Sequence, residues 1–168
     1  MFKYCPNCKA ELSTENNHLF CNCGFDYYIG PNPAVAVIFI NNKNQIYLGR
    51  RSREPKKGFW DLPGGFIDFK ESAEEAARRE IKEELGIELV DINYFCSYSN
   101  DYFYKGTQYY PLDLFFIAKV ELDEINPIEK EEFIEGKFFN LNEVPSDKLA
   151  FKSQKQALEK YIESVKEK

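Results

Sequence analysis

Glu80, Glu83 and Glu84 are the residues of this chain whose type and spacing best suit chemistry. Residues three and four apart on a helix lie about 5 to 6 Å apart at Cβ, so Glu80 faces both of the others. Like charges so placed destabilise a helix by about 0.2 to 0.5 kcal/mol per pair, and a cation should offset that. Hard divalent ions take clustered carboxylate oxygens plus water, and Mg²⁺ commonly bridges one or two carboxylates to substrate phosphates. The cluster is therefore a candidate Mg²⁺ site. Arg79, four residues before Glu83, is spaced to pair with it and hold one carboxylate while the others meet metal. A solvated acidic helix is the alternative for an isolated pair of glutamates.

The elements around the cluster must position it. Ser72 with Glu75 three residues on is a capping-box signature, so a helix is expected from there through AEEAARREIKEEL. Gly86 supplies a left-handed stop. Ala73, Ala77, Ile81 and Leu85 recur every four residues and form a narrow apolar stripe for burial against a sheet. Ahead of the helix, the run WDLPGGF from Trp60 to Phe66 joins an apolar segment to a glycine pair. Glycine permits close backbone approach, which would let the Gly65 carbonyl reach a metal.

From Gly65 to Ile87 the chain reads GFIDFKESAEEAARREIKEELGI. It fits G, five residues, E, seven residues, R-E-U-x-E-E-x-G-U, with U a bulky aliphatic. This resembles the signature of the Nudix hydrolases. The resemblance implies an α/β fold, an α/β/α sandwich around a mixed sheet, with the loop, helix and loop as catalytic platform. It implies Mg²⁺ (or Mn²⁺) held by Gly65, Glu80, Glu83 and Glu84, with Glu83, Glu84 and Arg79 as the catalytic group. One departure is Lys70, which stands before Glu71 where the family often has glycine.

Four of the five cysteines lie near the start. Cys5 and Cys8 have C-x2-C spacing, and Cys21 and Cys23 form a tighter C-x-C pair. The cytosol keeps thiols reduced, so metal ligation is favoured over disulfides. The pattern resembles a zinc ribbon with a closed structural Zn²⁺, and His18, the lone histidine, is the alternative fourth ligand. Cys96 reads as a buried small residue. Gly30-Pro31-Asn32-Pro33 marks a boundary, giving a ribbon over residues 1–30 and a main domain over 31–168.

The 168 residues are 43 % hydrophobic, enough for one ordinary domain and a small appendage. A net charge of −6 argues against broad binding to nucleic acid or anionic membrane. The longest apolar run, AVAVIFI, is far short of a membrane span, and no charged and apolar leader opens the chain, so the expected compartment is the cytoplasm. AVAVIFI and QIYLGRR, joined by NNKN, read as a β-hairpin. Further strands are expected at DINYFCSYSND, YPLDLFFIAKVEL and EGKFFNL, and an amphipathic helix over SDKLAFKSQKQALEKYIESVKEK.

Three groups outside the signature bear on substrate. Arg50, Arg51, Arg53, Lys56 and Lys57 fall in one short connection and suit phosphate groups, or else a solvated loop. Tyr94, Tyr98, Tyr102, Phe103, Tyr104, Tyr109 and Tyr110 offer faces for a nucleobase, or else strand packing. Glu131, Glu132 and Glu135 lie where some Nudix enzymes carry a further metal ligand or general base, or else form a charged solvated loop, the safer reading for each singly.

The expected function is Mg²⁺-dependent hydrolysis of the diphosphate bond in a nucleoside diphosphate linked to another moiety. A ribbon ahead of a Nudix domain also resembles the NADH pyrophosphatase subgroup, usually dimeric, which makes NADH or NAD the runner-up substrate. That subgroup's SQPWPFPxS run is replaced here by SYSNDYFYKGTQYYPLD. A reading of a different class is a non-catalytic nucleotide-sensing or scaffold module that uses the ribbon as its contact.

Overall fold

The computed structural model describes residues 2–166. The chain divides into one unit over Met1–Pro31 and a second over Asn32–Lys168.

The first unit holds three short strands, β1 (Ser13–Glu15), β2 (His18–Phe20) and β3 (Asp26–Tyr28), paired antiparallel in the order β1-β2-β3. Among the described residues its buried apolar interior is Cys5, Leu12 and Leu19, with Cys21, Phe25 and Ile29 partly buried against them. So small a core cannot by itself offset the entropy of ordering the segment.

The second unit is built on β4 (Asn32–Asn41). It pairs in parallel with β11 (Pro111–Val120) and antiparallel with β5 (Gln45–Arg51), which makes the sheet mixed. The path β12-β5-β4-β11-β8 is completed by β8 (Asn93–Ser99) and β12 (Phe133–Asn140). Side chains alternate across a strand, and here both faces are buried. Val35, Val37 and Phe39 meet Ala77, Ile81 and Leu85 of α1 (Ala73–Leu85) on one face. Ala36, Ile38 and Ile40 meet Ala157 and Leu158 of α2 (Lys152–Lys166) on the other. The result is the α/β/α sandwich.

The strands β4 and β5 are joined by the Asn-rich turn but are not a regular hairpin. They pair only beside the turn, at Ile40 and Ile46, and then diverge. The wedge receives β6 (Trp60–Asp61), which pairs with Gly49 and Arg50 of β5, and β7 (Gly64–Phe66), which pairs with Ala34, Val35 and Ala36 of β4. The Val37 amide donates to the Pro63 carbonyl at 2.9 Å and locks the insertion. Gly64 has φ 144, and a Cβ there would overlap the Val35 carbonyl. The WDLPGGF run is thus fitted between two strands that sequence alone reads as partners.

A small hairpin, β9 (Tyr102–Tyr104) and β10 (Thr107–Tyr109), precedes β11. The terminal helix begins later than its periodicity suggests. Ser146–Lys148 form a 3₁₀ turn and Leu149 is extended, bridging to Trp60 and buried against the sheet, so Leu149 belongs to no helical stripe. Among the described residues no helix is long and apolar enough to cross a membrane.

Candidate functional site

Helix α1 starts and stops where its residues dictate. Ser72 caps it by accepting from the Glu75 amide, the Glu75 side chain accepts from the Ser72 amide, and Gly86 ends it with φ 69. Lys70 takes φ 69, a conformation glycine adopts freely, so the turn before Glu71 persists with lysine in it.

Arg79 is the hub of the signature. Its Nε and Nη2 donate to the two Glu71 carboxylate oxygens at 2.8 and 2.9 Å, and Nη2 also donates to the Phe66 carbonyl at 3.1 Å. Its Nη1 donates to Glu80 at 2.8 Å and to Glu83 at 3.3 Å. The Arg79–Glu83 pairing expected from spacing is present but is the longest of the set; the bidentate grip on Glu71 is the main anchor. That grip holds the Glu71 carboxyl down at about 2.

Glu84 is 3 % exposed, and its carboxylate accepts from the Gly64 amide at 3.0 Å. Burial pushes its protonation well up, and Glu80 adds to the push. Burial also raises Glu80, against the Arg79 hydrogen bond, with Glu83 and Glu132 raising it further. Glu83 is the exposed member of the three. A side chain at Gly65 would overlap the Glu80 carboxylate, so the glycine leaves Glu80 lying directly against the loop backbone. The buried Glu84 carboxylate and the half-buried Glu80, which shares Arg79 with Glu71 and Glu83, are set against a glycine loop in a way that suits a divalent cation, although among the described residues the oxygens of Glu80, Glu83 and Glu84 are not drawn together as the four cysteine sulfurs are.

Beside this cluster lies a cleft of about 140 Å³. Of the basic connection, Arg51 and Arg53 line it, whereas Arg50 donates to Glu135 at 2.9 Å and to the Gly58 carbonyl at 3.1 Å. Arg51 is held by buried Asp61 and lies over the Phe151 ring at 5.3 Å. Of the aromatic residues after the helix, Tyr102 lines the cleft, its ring 6.3 Å from Phe66 and 5.8 Å from Phe151. Tyr94 and Tyr98 instead pack on Phe116 and Phe115. Of the three later glutamates, Glu132 lines the cleft and pairs with Arg53. Its loop is tied to the end of α1, where Ile128 and Glu129 amides donate to the Glu84 carbonyl at 2.9 and 3.4 Å.

Among the polar and aromatic cleft residues, sequence reasoning missed Asn100, Asp113, Phe151 and Gln154. No motif marks them, because they come from three separate places, the turn after β8, the strand β11 and the start of α2. The one available signal is polarity out of place, an aspartate inside the apolar run PLDLFFIAKV and a glutamine on the buried side of α2.

In the first unit the Cys5 and Cys23 sulfurs lie 3.6 Å apart and those of Cys8 and Cys21 3.5 Å apart, all four within 4.8 Å of one another. Four thiolates at about 2.3 Å around a tetrahedral centre stand about 3.8 Å apart, so the set fits Zn²⁺. His18 pairs with Asp26 and stacks on Tyr28, outside the cluster.

Residues 30–161 match the NUDIX domain family. An ADP-ribose pyrophosphatase of Methanocaldococcus jannaschii is 37 % identical over 130 residues, covering 77 % of this chain and 73 % of that protein. An NAD-capped RNA hydrolase, NudC, of Vibrio parahaemolyticus is 26 % identical over 146 residues, and the match spans 85 % of this chain but only 53 % of that protein. A NUDIX hydrolase structure from Nitrosomonas europaea superposes with a TM-score of 0.69 at 26 % identity, covering 96 % of this chain and 91 % of that one. With the signature assembled on α1 and the fold matched over nearly its whole length, the chain belongs to the Nudix family, as a hydrolase of diphosphate bonds.

Proposed function

We propose that the chain hydrolyses the diphosphate bond of a nucleoside diphosphate joined to a second moiety, with an ADP-ribose-like compound as substrate. The observation that carries the reading is the buried Glu84 carboxylate and the half-buried Glu80, which share little positive charge, beside a cleft that presents Arg51 and Arg53. The named activity of the pyrophosphatase relative supports the same substrate class.

Glu80, Glu83, Glu84 and the Gly65 carbonyl would hold Mg²⁺ (or Mn²⁺). When bound, such an ion neutralises diphosphate oxygens and lowers the pKa of a bound water. Arg79 serves by restraint: gripped by Glu71 and by the Phe66 carbonyl, it fixes where Glu80 and Glu83 point. Arg51, held by Asp61 and Pro55, is preorganised to meet an anionic group without losing rotamer freedom at that moment. Glu132 is our choice for the general base. Burial raises its pKa, against Arg53 and Arg51, which moves a carboxylate toward the range where proton abstraction at neutral pH is effective. The four cysteines would hold a structural Zn²⁺, since a closed set of four thiolates leaves no open position for substrate.

The NudC relatives favour a second reading, a substrate bearing a dinucleotide end such as NADH, NAD or a capped RNA. The chain spans about half the length of those relatives, so their substrates and any dimeric assembly are carried over only as proposals. We place the activity in the cytoplasm.

The deciding experiment is Mg²⁺-dependent product release from ADP-ribose, NADH, NAD, nucleotide sugars and nucleoside triphosphates, beside Glu83→Gln and Glu84→Gln. The expected result is turnover of ADP-ribose, abolished in Glu84→Gln, while that variant melts no lower than the wild type in Mg²⁺-free buffer. Glu84→Gln keeps an acceptor for the Gly64 amide and removes a buried charge. Turnover of triphosphates alone would overturn the substrate class, and none with any compound would overturn the reading.

A further inference from the structure

We infer that Asp61 and Gln154 are positioning residues for Arg51, and that through them the first turn of α2 sets where a guanidinium meets the diphosphate of the substrate. This rests on the diphosphate reading above and deepens it by assigning the aspartate of the WDLPGGF run and a glutamine that belongs to no motif.

The three arginines of the basic connection are not equivalent. The side chains of Arg50 and Arg53 are 44 % and 60 % exposed, and each pairs with a glutamate, Glu135 and Glu132 in turn. Ion pairs so open to water hold a long side chain weakly. The Arg51 side chain is only 12 % exposed and its partner Asp61 only 6 %. Arg51 Nε donates to the Pro55 carbonyl at 2.9 Å, Nη1 donates to Asp61 Oδ2, and the guanidinium carbon lies 5.3 Å from the centre of the Phe151 ring. Gripped at two nitrogens and laid over an aromatic face, the guanidinium is fixed in orientation.

The aspartate is fixed in its turn. Gln154 Nε2 donates to Asp61 Oδ1, so the carboxylate gives one oxygen to the glutamine and the other to the arginine. The Gln154 amide oxygen is engaged as well, accepting from the Leu62 amide at 3.4 Å. Gln154 is buried in the first turn of α2, and the adjacent Ser153 donates to Asp113 of β11. Two acids of the sheet therefore pin the start of the helix, and one of them also holds Arg51.

An arginine with a purely structural role spends its donors inside the protein. A guanidinium has five N–H groups, of which Arg51 places one on Asp61 and one on Pro55. Among the described residues Nη2 has no acceptor, yet the Tyr47 hydroxyl is the one side-chain nitrogen or oxygen that is both sealed from solvent and unpartnered. Nη2 is therefore open to solvent, and Arg51, Asp61 and Gln154 all line the cleft. A planar fork matches two oxygens of a phosphoryl group, and here its orientation is set before the substrate arrives.

Equilibrium binding of ADP in Mg²⁺-free buffer, measured by calorimetry, tests this without turnover. Arg51→Ala should weaken ADP roughly 10- to 100-fold, the range for a hydrogen bond to a charged group. It also leaves a vacancy against an unpaired Asp61, which is a seat for free guanidinium. Millimolar guanidinium, but not sodium at equal ionic strength, should restore most of the lost affinity in Arg51→Ala and none of it in the double variant Arg51→Ala, Asp61→Asn. Gln154→Met, which releases Asp61 Oδ1 at similar side-chain volume and leaves the ion pair intact, should weaken ADP about 2- to 10-fold. Equal rescue of the single and double variants, or rescue of neither while both melt cooperatively, would overturn the role of Asp61. Wild-type affinity in Gln154→Met would remove α2 from the site, and that variant decides alone should the unpaired Asp61 keep Arg51→Ala from folding. Guanidinium-dependent ADP binding by a protein that hydrolyses nothing would leave the positioning standing and remove the hydrolase reading.

Discussion

The grip of Glu71 on Arg79 has a consequence in acid. Two hydrogen bonds at 2.8 and 2.9 Å, with a third from the Asp68 amide at 3.0 Å, hold the Glu71 carboxyl at about 2 from its ordinary 4.5. A carboxylate depressed on folding contributes stability above its unfolded value, and that contribution is lost as pH falls through the folded one. The melting temperature of the wild type should therefore exceed that of Glu71→Gln at pH 6, and the two curves should converge between about pH 4.5 and 2. Parallel curves across that window would show that Glu71 does not anchor Arg79 in solution. Residues of this kind were legible beforehand, because the signature fixes Glu71, Arg79, Glu80, Glu83 and Glu84 at set offsets on one helix. Asp113 and Gln154 were not, since what brings them to the cleft is the register of β11 on β4 and the placing of α2, neither of which local spacing encodes.

The divergence of β4 from β5 shows why elements were read less well than residues. Alternation and an Asn-rich turn specify two strands, but a regular hairpin would leave no place for β6 and β7, and it is their insertion that carries Gly64 and Gly65 to the carboxylates. Pairing of β5 with β12 on its other side raises a packing question that can be answered by mutation. The Tyr47 side chain is fully buried, its hydroxyl has no hydrogen-bond partner among the described residues, and a Cβ at Gly136 would overlap that hydroxyl. Gly136→Ala should therefore cost about 2 kcal/mol by overpacking. Tyr47→Phe should gain about 1 kcal/mol by removing an unsatisfied buried oxygen. Combined, the loss from Gly136→Ala should shrink by at least about 1 kcal/mol, since the obstructing atom is gone. Denaturant unfolding of the four proteins measures this cycle, and additive effects would mean that the clash is relieved some other way.

At the scale of the whole molecule, the two units obtain their stability from different sources. The Nudix unit buries both faces of its mixed sheet under helices, whereas the first unit buries little more than Cys5, Leu12 and Leu19. On the proposal that the four cysteines hold Zn²⁺, the metal makes up the difference in the smaller unit, since zinc-finger peptides gain an apparent energy of about 10 to 16 kcal/mol from Zn²⁺. The chain should bind one zinc per molecule, and Cys8→Ser should lower that stoichiometry. A zinc-selective chelator in excess Mg²⁺ should abolish amide hydrogen-exchange protection in β1, β2 and β3. The larger unit has its own core, so β4, β11 and α1 should keep their protection and a cooperative melt under the same treatment. Protection that survives in β1 to β3 after zinc is gone would mean that packing alone orders the ribbon. Loss of protection throughout would mean that the larger unit depends on the metal as well, and that the division of the chain does not extend to its folding.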